Sequence, residues 1–405
     1  MLVLQILRWF LLAAEVWIAL PILYLCILSI SAILTTKKRK ARATTSSLTI
    51  SSYANFAILI PAHNEEVILG NLLKSLSMLE YPKDRYTVYV VADNCTDRTT
   101  ELAHEADSVR VYERFDQTKR GKGYALSWLL QQLEENQLIY DAYVVLDADS
   151  VVVPTFLQSM NKELAQGAQA LQASNTVLNV SESPSTALRL IALTLMNHVR
   201  PLGRNGIGAS STLTGNGMCL SRSLLLRYPW RSFAIAEDYQ YYLTLVQNGE
   251  RVRYVPEAVA LSQMPITFAQ MRTQDVRWES VEPTQSNWRI ALRMLTDGLR
   301  LRNFVCIEAV AELLVPPLSF LVSWCLLTII ISLLVSSLPE LFFSFVLIGG
   351  LICYLGTALY LLHPPREVYK ALFYAPGFIV WKLWVYFILS RSKKHTSEWV
   401  RTSRT

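Results

Sequence analysis

Histidine is scarce in this sequence of 405 residues: there are five, and no two form a His-x-x-x-His pair. The six cysteines (Cys26, Cys95, Cys219, Cys306, Cys325 and Cys353) are not spaced as metal ligands, and three lie in or beside a C-terminal apolar block. A zinc site is therefore set aside, and a reduced cytosolic domain without structural disulfides is the simplest account. Charge is thin as well, at 17% of residues against 52% hydrophobic, which is more apolar than an average soluble chain. The net charge of +6 raises the question of nucleic acid, but no nucleic-acid-binding module is visible. The basic residues instead gather beside apolar segments, as in Lys37-Lys38-Arg39-Lys40 with Arg42. The partner this pattern predicts is a membrane surface, not nucleic acid.

The apolar excess is concentrated in residues 9–34 and 305–362, with a weaker block at 371–389, while 55–280 reads as an ordinary soluble domain. Trp9–Leu34 is a run of 26 residues containing Glu15 and Pro21, long enough to cross about 30 Å of hydrocarbon. Arg8 precedes it and the Lys37–Arg42 cluster follows, so the positive-inside rule predicts an anchor with residue 40 in the cytosol rather than a cleaved leader. Leu313–Leu338 and Leu341–Leu362 predict two further spans, joined by a turn without Lys or Arg. Ala371–Leu389 contains Pro376, Gly377 and Lys382, and crossing would export the basic tail Arg391–Arg404; it predicts an interfacial or re-entrant helix. Asn287–Arg302 places Trp288, Leu292, Leu295 and Leu299 on one helical face with arginines flanking it, the pattern of a helix lying in the membrane interface. The expected divisions are an anchor over 1–43, a cytosolic catalytic domain over 44–283, the interface helix over 284–304 and two spans over 305–362. Residues 363–405 complete the chain as an interfacial or re-entrant helix and a basic cytosolic tail.

Within the soluble block, Phe56–Pro61 and Tyr86–Ala92 are short apolar runs of the kind buried in parallel sheets. Ile68, Leu72, Leu73, Leu76 and Leu79 fall between them at helical spacing. Val109–Tyr112 and Tyr143–Leu146 continue the pattern, separated by a helix over Lys122–Glu135. This alternation predicts a doubly wound α/β domain.

Several polar groups fall where such a sheet binds ligands. Asp147-Ala148-Asp149 follows the strand Tyr143–Leu146; carboxylates at i and i+2 past a strand end suit a hard divalent cation and a ribose hydroxyl, although such pairs also occur in solvated turns. Mg²⁺ or Mn²⁺ held there would neutralise charge on a departing diphosphate. Asp93 stands at the end of another strand, placed either for a base or ribose contact or for an Asx-turn, while Asp97 reads as a helix cap. Lys122 opens a helix and can reach a nucleotide or simply be solvated. Glu237-Asp238 opens the helix Tyr239–Gln247, where acids also complement the helix dipole. Gln274, Arg277 and Trp278 lie within one helical turn and combine a guanidinium for diphosphate with an indole for the apolar face of a sugar; the plain alternative is an amphipathic helix.

Together Pro61-Ala62-His63-Asn64-Glu65-Glu66, Asp93, Gly121-Lys122-Gly123, Asp147-Ala148-Asp149, Gly215-Asn216-Gly217, Glu237-Asp238 and Gln274-x-x-Arg277-Trp278 run in order between membrane segments. The chain resembles the membrane-integrated members of glycosyltransferase family 2, which include cellulose, hyaluronan and chitin synthases and ceramide glucosyltransferases. The resemblance implies an α/β GT-A (nucleotide-diphospho-sugar transferase) domain with flanking transmembrane and interfacial helices. It further implies that Ala62, Glu65, Asp93 and Lys122 contact the nucleoside, that Asp147 lies near the ribose and diphosphate, and that Asp149, with Asp147, binds the metal. Asp238 would be the general base with Glu237 supporting it, Gln274 and Arg277 would hold the diphosphate, and Trp278 the acceptor sugar. Ala92, Ala236 and Asp275 depart from the common family pattern.

The activity implied is inverting transfer from a nucleotide-sugar donor, a UDP-hexose or UDP-N-acetylhexosamine, to a growing polysaccharide, or else a single transfer to a membrane lipid acceptor. The location implied is the bacterial inner membrane, with membrane lipids around the helices and the catalytic domain in the cytosol. Three spans offer little of a channel for a polymer, which interfacial helices or a homo-oligomer would have to complete. A degenerate, non-enzymatic scaffold is opposed by the joint presence of Asp149, Asp238, Arg277 and Trp278.

Overall fold

The computed structural model describes residues 2–45, 52–266 and 286–391. The contacts divide the chain into a sheet unit, which includes Ala209–Pro265, and a helical unit, which includes Val180–Gly208 together with the N-terminal and C-terminal helices.

In the sheet unit the strands are β1 (Phe56–Ala62), β2 (Tyr86–Asp93), β3 (Val109–Arg114), β4 (Ala142–Val145), β5 (Ser150–Val152), β6 (Ala170–Val177), β7 (Met218–Ser221) and β8 (Val252–Ser262). They form one sheet of order β3-β2-β1-β4-β7-β6-β8-β5. The first four strands are parallel, as the alternation predicts. The remainder is mixed: β7 runs antiparallel to β4 and β6, and β5 antiparallel to β8, while β6 and β8 are parallel.

β-branched residues such as Ile58, Ile60, Val88, Val90 and Val144 are buried in the strands because helices cover the sheet. The helix Leu69–Ser77 buries Leu69, Leu72, Leu73 and Leu76, and the helix Phe156–Ala165 buries Phe156, Leu157 and Met160 in the same core. Full burial of each such side chain contributes about 1.5–3 kcal/mol. Ile68 and Leu79, placed at helical spacing by the sequence, flank the first helix and are also buried.

Register then places the polar groups. Ala62 pairs with Ala92 and Leu59 with Val145, so β1, β2 and β4 end along one edge. β2 and β3 lie on one side of β1, and β4 on the other. A parallel sheet opens a crevice outside the carboxyl ends of its strands at such a reversal. His63, Asp93 and Asp147 all stand at that edge.

Among the described residues two helices are long and apolar enough to cross a membrane, Arg8–Arg42 within Leu2–Thr45, and Leu338–Leu362. Over the expected span Leu313–Leu338 the structure has a bent pair of helices, Phe304–Leu313 and Leu318–Leu334, meeting at 61°. Pro316 and Pro317 stand at the bend, where each removes a backbone donor and restricts the residue before it. The amphipathic helix is Ser286–Arg300. It buries Ala291 and Met294, while Trp288, Leu292 and Leu299 of its predicted apolar face are exposed. A further helix, Ala375–Arg391, carries Pro376 in its first turn, where proline is tolerated.

Residues 180–208 fall inside the stretch expected to be catalytic, yet their contacts belong to the helical unit. Gly203 meets the helix Leu2–Thr45 so closely that a Cβ would stand 2.3 Å from the Leu28 carbonyl oxygen. Arg204, fully buried, forks onto Glu308 through Nε to Oε1 at 2.8 Å and Nη2 to Oε2 at 2.7 Å. The Tyr24 hydroxyl donates to Glu308 at 2.6 Å, and Arg200 donates to Glu312 at 3.2 Å. Glu308 and Glu312 are thus paired, as buried charges must be.

Candidate active site

At the end of β2, Asp93 is buried, and its Oδ1 accepts from Arg114 Nη1 at 2.6 Å and from Asn94 Nδ2 at 3.0 Å. Arg114 ends β3 and also donates to the Lys119 carbonyl at 2.7 Å. Burial raises the Asp93 pKa, and Arg114 only partly offsets it. The carboxylate thus already has a cationic partner. The sequence pattern gave Arg114 no role; its one signal was its position at a strand end on the ligand-binding edge.

Two loops at this edge are stitched together. The His63 Nδ1–H donates to the Asp93 carbonyl at 2.6 Å, and the Thr96 amide donates to Asn64 Oδ1 at 2.7 Å. The Glu65 amide donates to Thr99 Oγ1 at 2.7 Å, and the Arg98 amide to Glu66 Oε2 at 3.0 Å. Asp97 accepts from the Thr99 amide at 3.0 Å, but the cap position of the helix Thr99–Glu105 is Arg98, so Asp97 makes a local turn one residue before it rather than the expected cap. Ala62, last in β1, is buried, and its carbonyl accepts from the Cys95 thiol at 3.5 Å. The motif Pro61–Glu66 therefore shapes its loop through side-chain-to-backbone contacts.

The second group of polar side chains surrounds Lys122, first residue of the helix Lys122–Glu135. Its ammonium donates to Asp147 Oδ1 at 2.5 Å and to the Gly215 carbonyl at 2.7 Å, and lies 3.8 Å from Glu237 Oε1. Burial alone would lower the lysine pKa, but Asp147 and Glu237 outweigh it and raise it, so the group is charged. Glu237 and Asp238 open the helix Glu237–Gln247, as expected. Burial pushes the Glu237 pKa up to about 7, countered by Lys122 and reinforced by Asp238; burial raises that of Asp238 too. A Cβ on Gly215 would stand 3.0 Å from Asp238 Oδ2 and 3.3 Å from Lys122 Nζ, so this loop adjoins both. Gly123 must be glycine as well, because its Cβ would lie 2.2 Å from the Ser232 carbonyl oxygen.

The structure thus brings Lys122, Asp147, Glu237 and Asp238 together, with Asp93 held separately by Arg114. Asp149 is half-buried in the turn leading to β5. Among the described residues no three His, Cys, Asp or Glu side chains converge on a possible metal position. The donor set fits a hard cation held by one or two carboxylates and completed by phosphate oxygens and water. Gln274, Arg277 and Trp278 lie outside the described residues.

A sequence profile described as glycosyltransferase like family 2 matches residues 54–280. The chain belongs to this family. It is 29% identical over 256 residues to the probable glycosyltransferase YdaM of Bacillus subtilis (strain 168), covering 61% of this chain and 58% of that protein. It is 32% identical over 177 residues to the β-monoglucosyldiacylglycerol synthase of a Nostoc species, covering 42% of this chain and 36% of that one. The matches therefore span less than two thirds of these relatives. Among solved structures, mannosyltransferase PcManGT from Pyrobaculum calidifontis, in complex with GDP-Man and Mn²⁺, superposes with a TM-score of 0.58 at 15% identity. That superposition covers 96% of this chain and 100% of the other, a likeness of fold.

Proposed function

We propose that this protein is an inverting membrane glycosyltransferase that moves a sugar from a nucleotide diphosphate to a hydroxyl acceptor. The observation that carries the reading is the convergence of Lys122, Asp147, Glu237 and Asp238 at the ligand-binding edge of the sheet. Ala62, Glu65 and Asp93 would line the nucleoside position, with Gln274 and Arg277 on the diphosphate and Trp278 on the acceptor sugar. Asp149 and Asp147 would hold a divalent cation, which when bound neutralises the leaving diphosphate. Asp238 takes the proton of the acceptor hydroxyl as the new glycosidic bond forms, and Glu237 supports it. Lys122 keeps Asp147 oriented and tempers the repulsion among the acids.

The donor is proposed to carry UDP and the acceptor to be a growing polysaccharide, as the family resemblance implies. A second reading, single transfer to a membrane lipid, is favoured by the Nostoc relative, whose name gives a diacylglycerol product. In both, three spans would leave the catalytic domain and C-terminus in the cytosol of a bacterial inner membrane. Purified full-length protein given radiolabelled UDP-sugars in turn, with Mg²⁺ or Mn²⁺, should release UDP and lose that activity in EDTA. Label retained as a large water-soluble product supports polysaccharide synthesis, and label extracted into organic solvent supports the lipid. Undiminished transfer in EDTA would overturn the cation assignment, and release of no nucleotide from any donor the proposed chemistry.

A further inference from the structure

Asn216 is flanked by Gly215 and Gly217, both in the left-handed region at φ 74° and 70°, which glycine adopts without strain. The tight loop puts the Asn216 side chain, 4% exposed, among groups from three other elements. Its Oδ1 accepts from the Asp147 amide at 3.2 Å. Its Nδ2 donates to Ser150 Oγ at 2.8 Å and to Ser262 Oγ at 3.3 Å. Its carbonyl accepts from Gln172 Nε2 at 2.7 Å and Asn175 Nδ2 at 2.9 Å, both on β6. One buried residue therefore joins the turn after β4, the start of β5, the end of β8 and the middle of β6.

We propose that Asn216 is a positioning residue that orients the Asp147-Ala148-Asp149 turn toward a divalent cation, an inference that rests on the reading of that turn as a cation site. Asp147 and Ser150 bracket Asp149, and the Asn216 amide group holds both ends of this short stretch. The same loop also restrains Asp147 from its other side, because the Gly215 carbonyl accepts from the Lys122 ammonium that grips Asp147 Oδ1. Asp147 is thereby fixed at its main chain and at its carboxylate. Outer partners that orient ligating carboxylates are worth roughly 10–100-fold in metal affinity.

The test counts free Mn²⁺ by electron paramagnetic resonance as it is titrated into the full-length protein with saturating UDP. Asn216→Ala should weaken Mn²⁺ binding by about 10–100-fold while UDP binding in EDTA stays close to wild type, and the orphaned buried partners should lower the melting temperature. Asn216→Asp keeps the acceptor facing the Asp147 amide, and the serine hydroxyls can turn their protons toward it, so binding should return to near the wild-type value. Ser262→Ala, which removes a single partner, should show a smaller weakening in the same direction and serves if Asn216→Ala does not fold. Unchanged Mn²⁺ binding in Asn216→Ala, or in Ser262→Ala where the former does not fold, overturns the proposal. Asp149→Ala separates the two claims: intact Mn²⁺ binding there, with loss in Asn216→Ala, would move the cation off Asp149 and leave Asn216 as the orienting residue.

Discussion

Lys122 Nζ lies 2.5 Å from Asp147 Oδ1, and by the same ammonium reaches to 3.8 Å from Glu237. A single cation at the start of one helix thus serves both the carboxylate proposed for the metal and the acid pair proposed for proton transfer. The two kinds of acid should separate under mutation.

Asp238→Asn keeps the shape of the side chain and removes the base. Turnover should fall by about 10²–10⁴-fold, with UDP affinity in the presence of Mn²⁺ close to wild type by calorimetry. Near-normal turnover would return Asp238 to the role of a helix-start acid.

Acidity should act through the same pair. Glu237 titrates at about 7 because burial disfavours its charge, and transfer needs the pair ionised, so kcat should fall as pH is lowered through about 7. In Glu237→Gln that inflection should disappear. The stability effect has the opposite slope: with a folded value above the ordinary 4.5, Glu237 favours folding below 4.5 and loses that contribution as pH rises through 7. The melting temperature of wild type relative to Glu237→Gln should therefore decline from acid to alkaline pH. A rate profile without an acid limb would refute the assignment.

Glycine positions give a paired test of packing. Gly123→Ala drives a Cβ to 2.2 Å from the Ser232 carbonyl oxygen and 3.2 Å from Glu237 Cβ, and should cost about 1–3 kcal/mol with impaired turnover. Gly70→Ala, in the helix Leu69–Ser77 with nothing within 4 Å of the new Cβ, should instead stabilise by about 0.5–1 kcal/mol. Thermal unfolding of both variants decides it.

Sequence periodicity exposed the parallel half of the sheet because β1, β2 and β4 are short, almost wholly apolar runs. It missed β5 to β8: β5 has three residues, β6 carries Gln172, Ser174 and Asn175, β7 reaches a serine after three apolar residues, and β8 is interrupted by Arg253, Pro256 and Glu257. Asp93 was legible as a strand-end acid, but its partner Arg114 is 21 residues away on another strand, and only register brings them together. Asn216 was visible as part of a Gly-Asn-Gly motif, while its five partners come from β6 and from the edges of β4, β5 and β8. The bend after Leu313 had a signal in plain view, Pro316-Pro317, inside a stretch otherwise apolar enough to read as one span.

The buried ion pair offers a further prediction. Arg204→Leu leaves Glu308 enclosed without its guanidinium, and should cost about 3–5 kcal/mol in detergent-solubilised protein. Combining it with Glu308→Leu should recover much of that loss. A single variant as stable as wild type would show the pair to be dispensable.

Fragment design follows from where Arg200 and Arg204 sit in the chain. A recombinant piece trimmed to 52–266 keeps both arginines and the apolar Leu188, Leu190, Ile191 and Leu195, all within 180–208, but discards Tyr24, Glu308, Glu312 and Tyr354. Two guanidiniums and a greasy helical surface would be laid bare in one excursion between β6 and β7. Such a piece would aggregate however well its sheet folds, and a workable soluble version would replace 180–208 with a short polar connector.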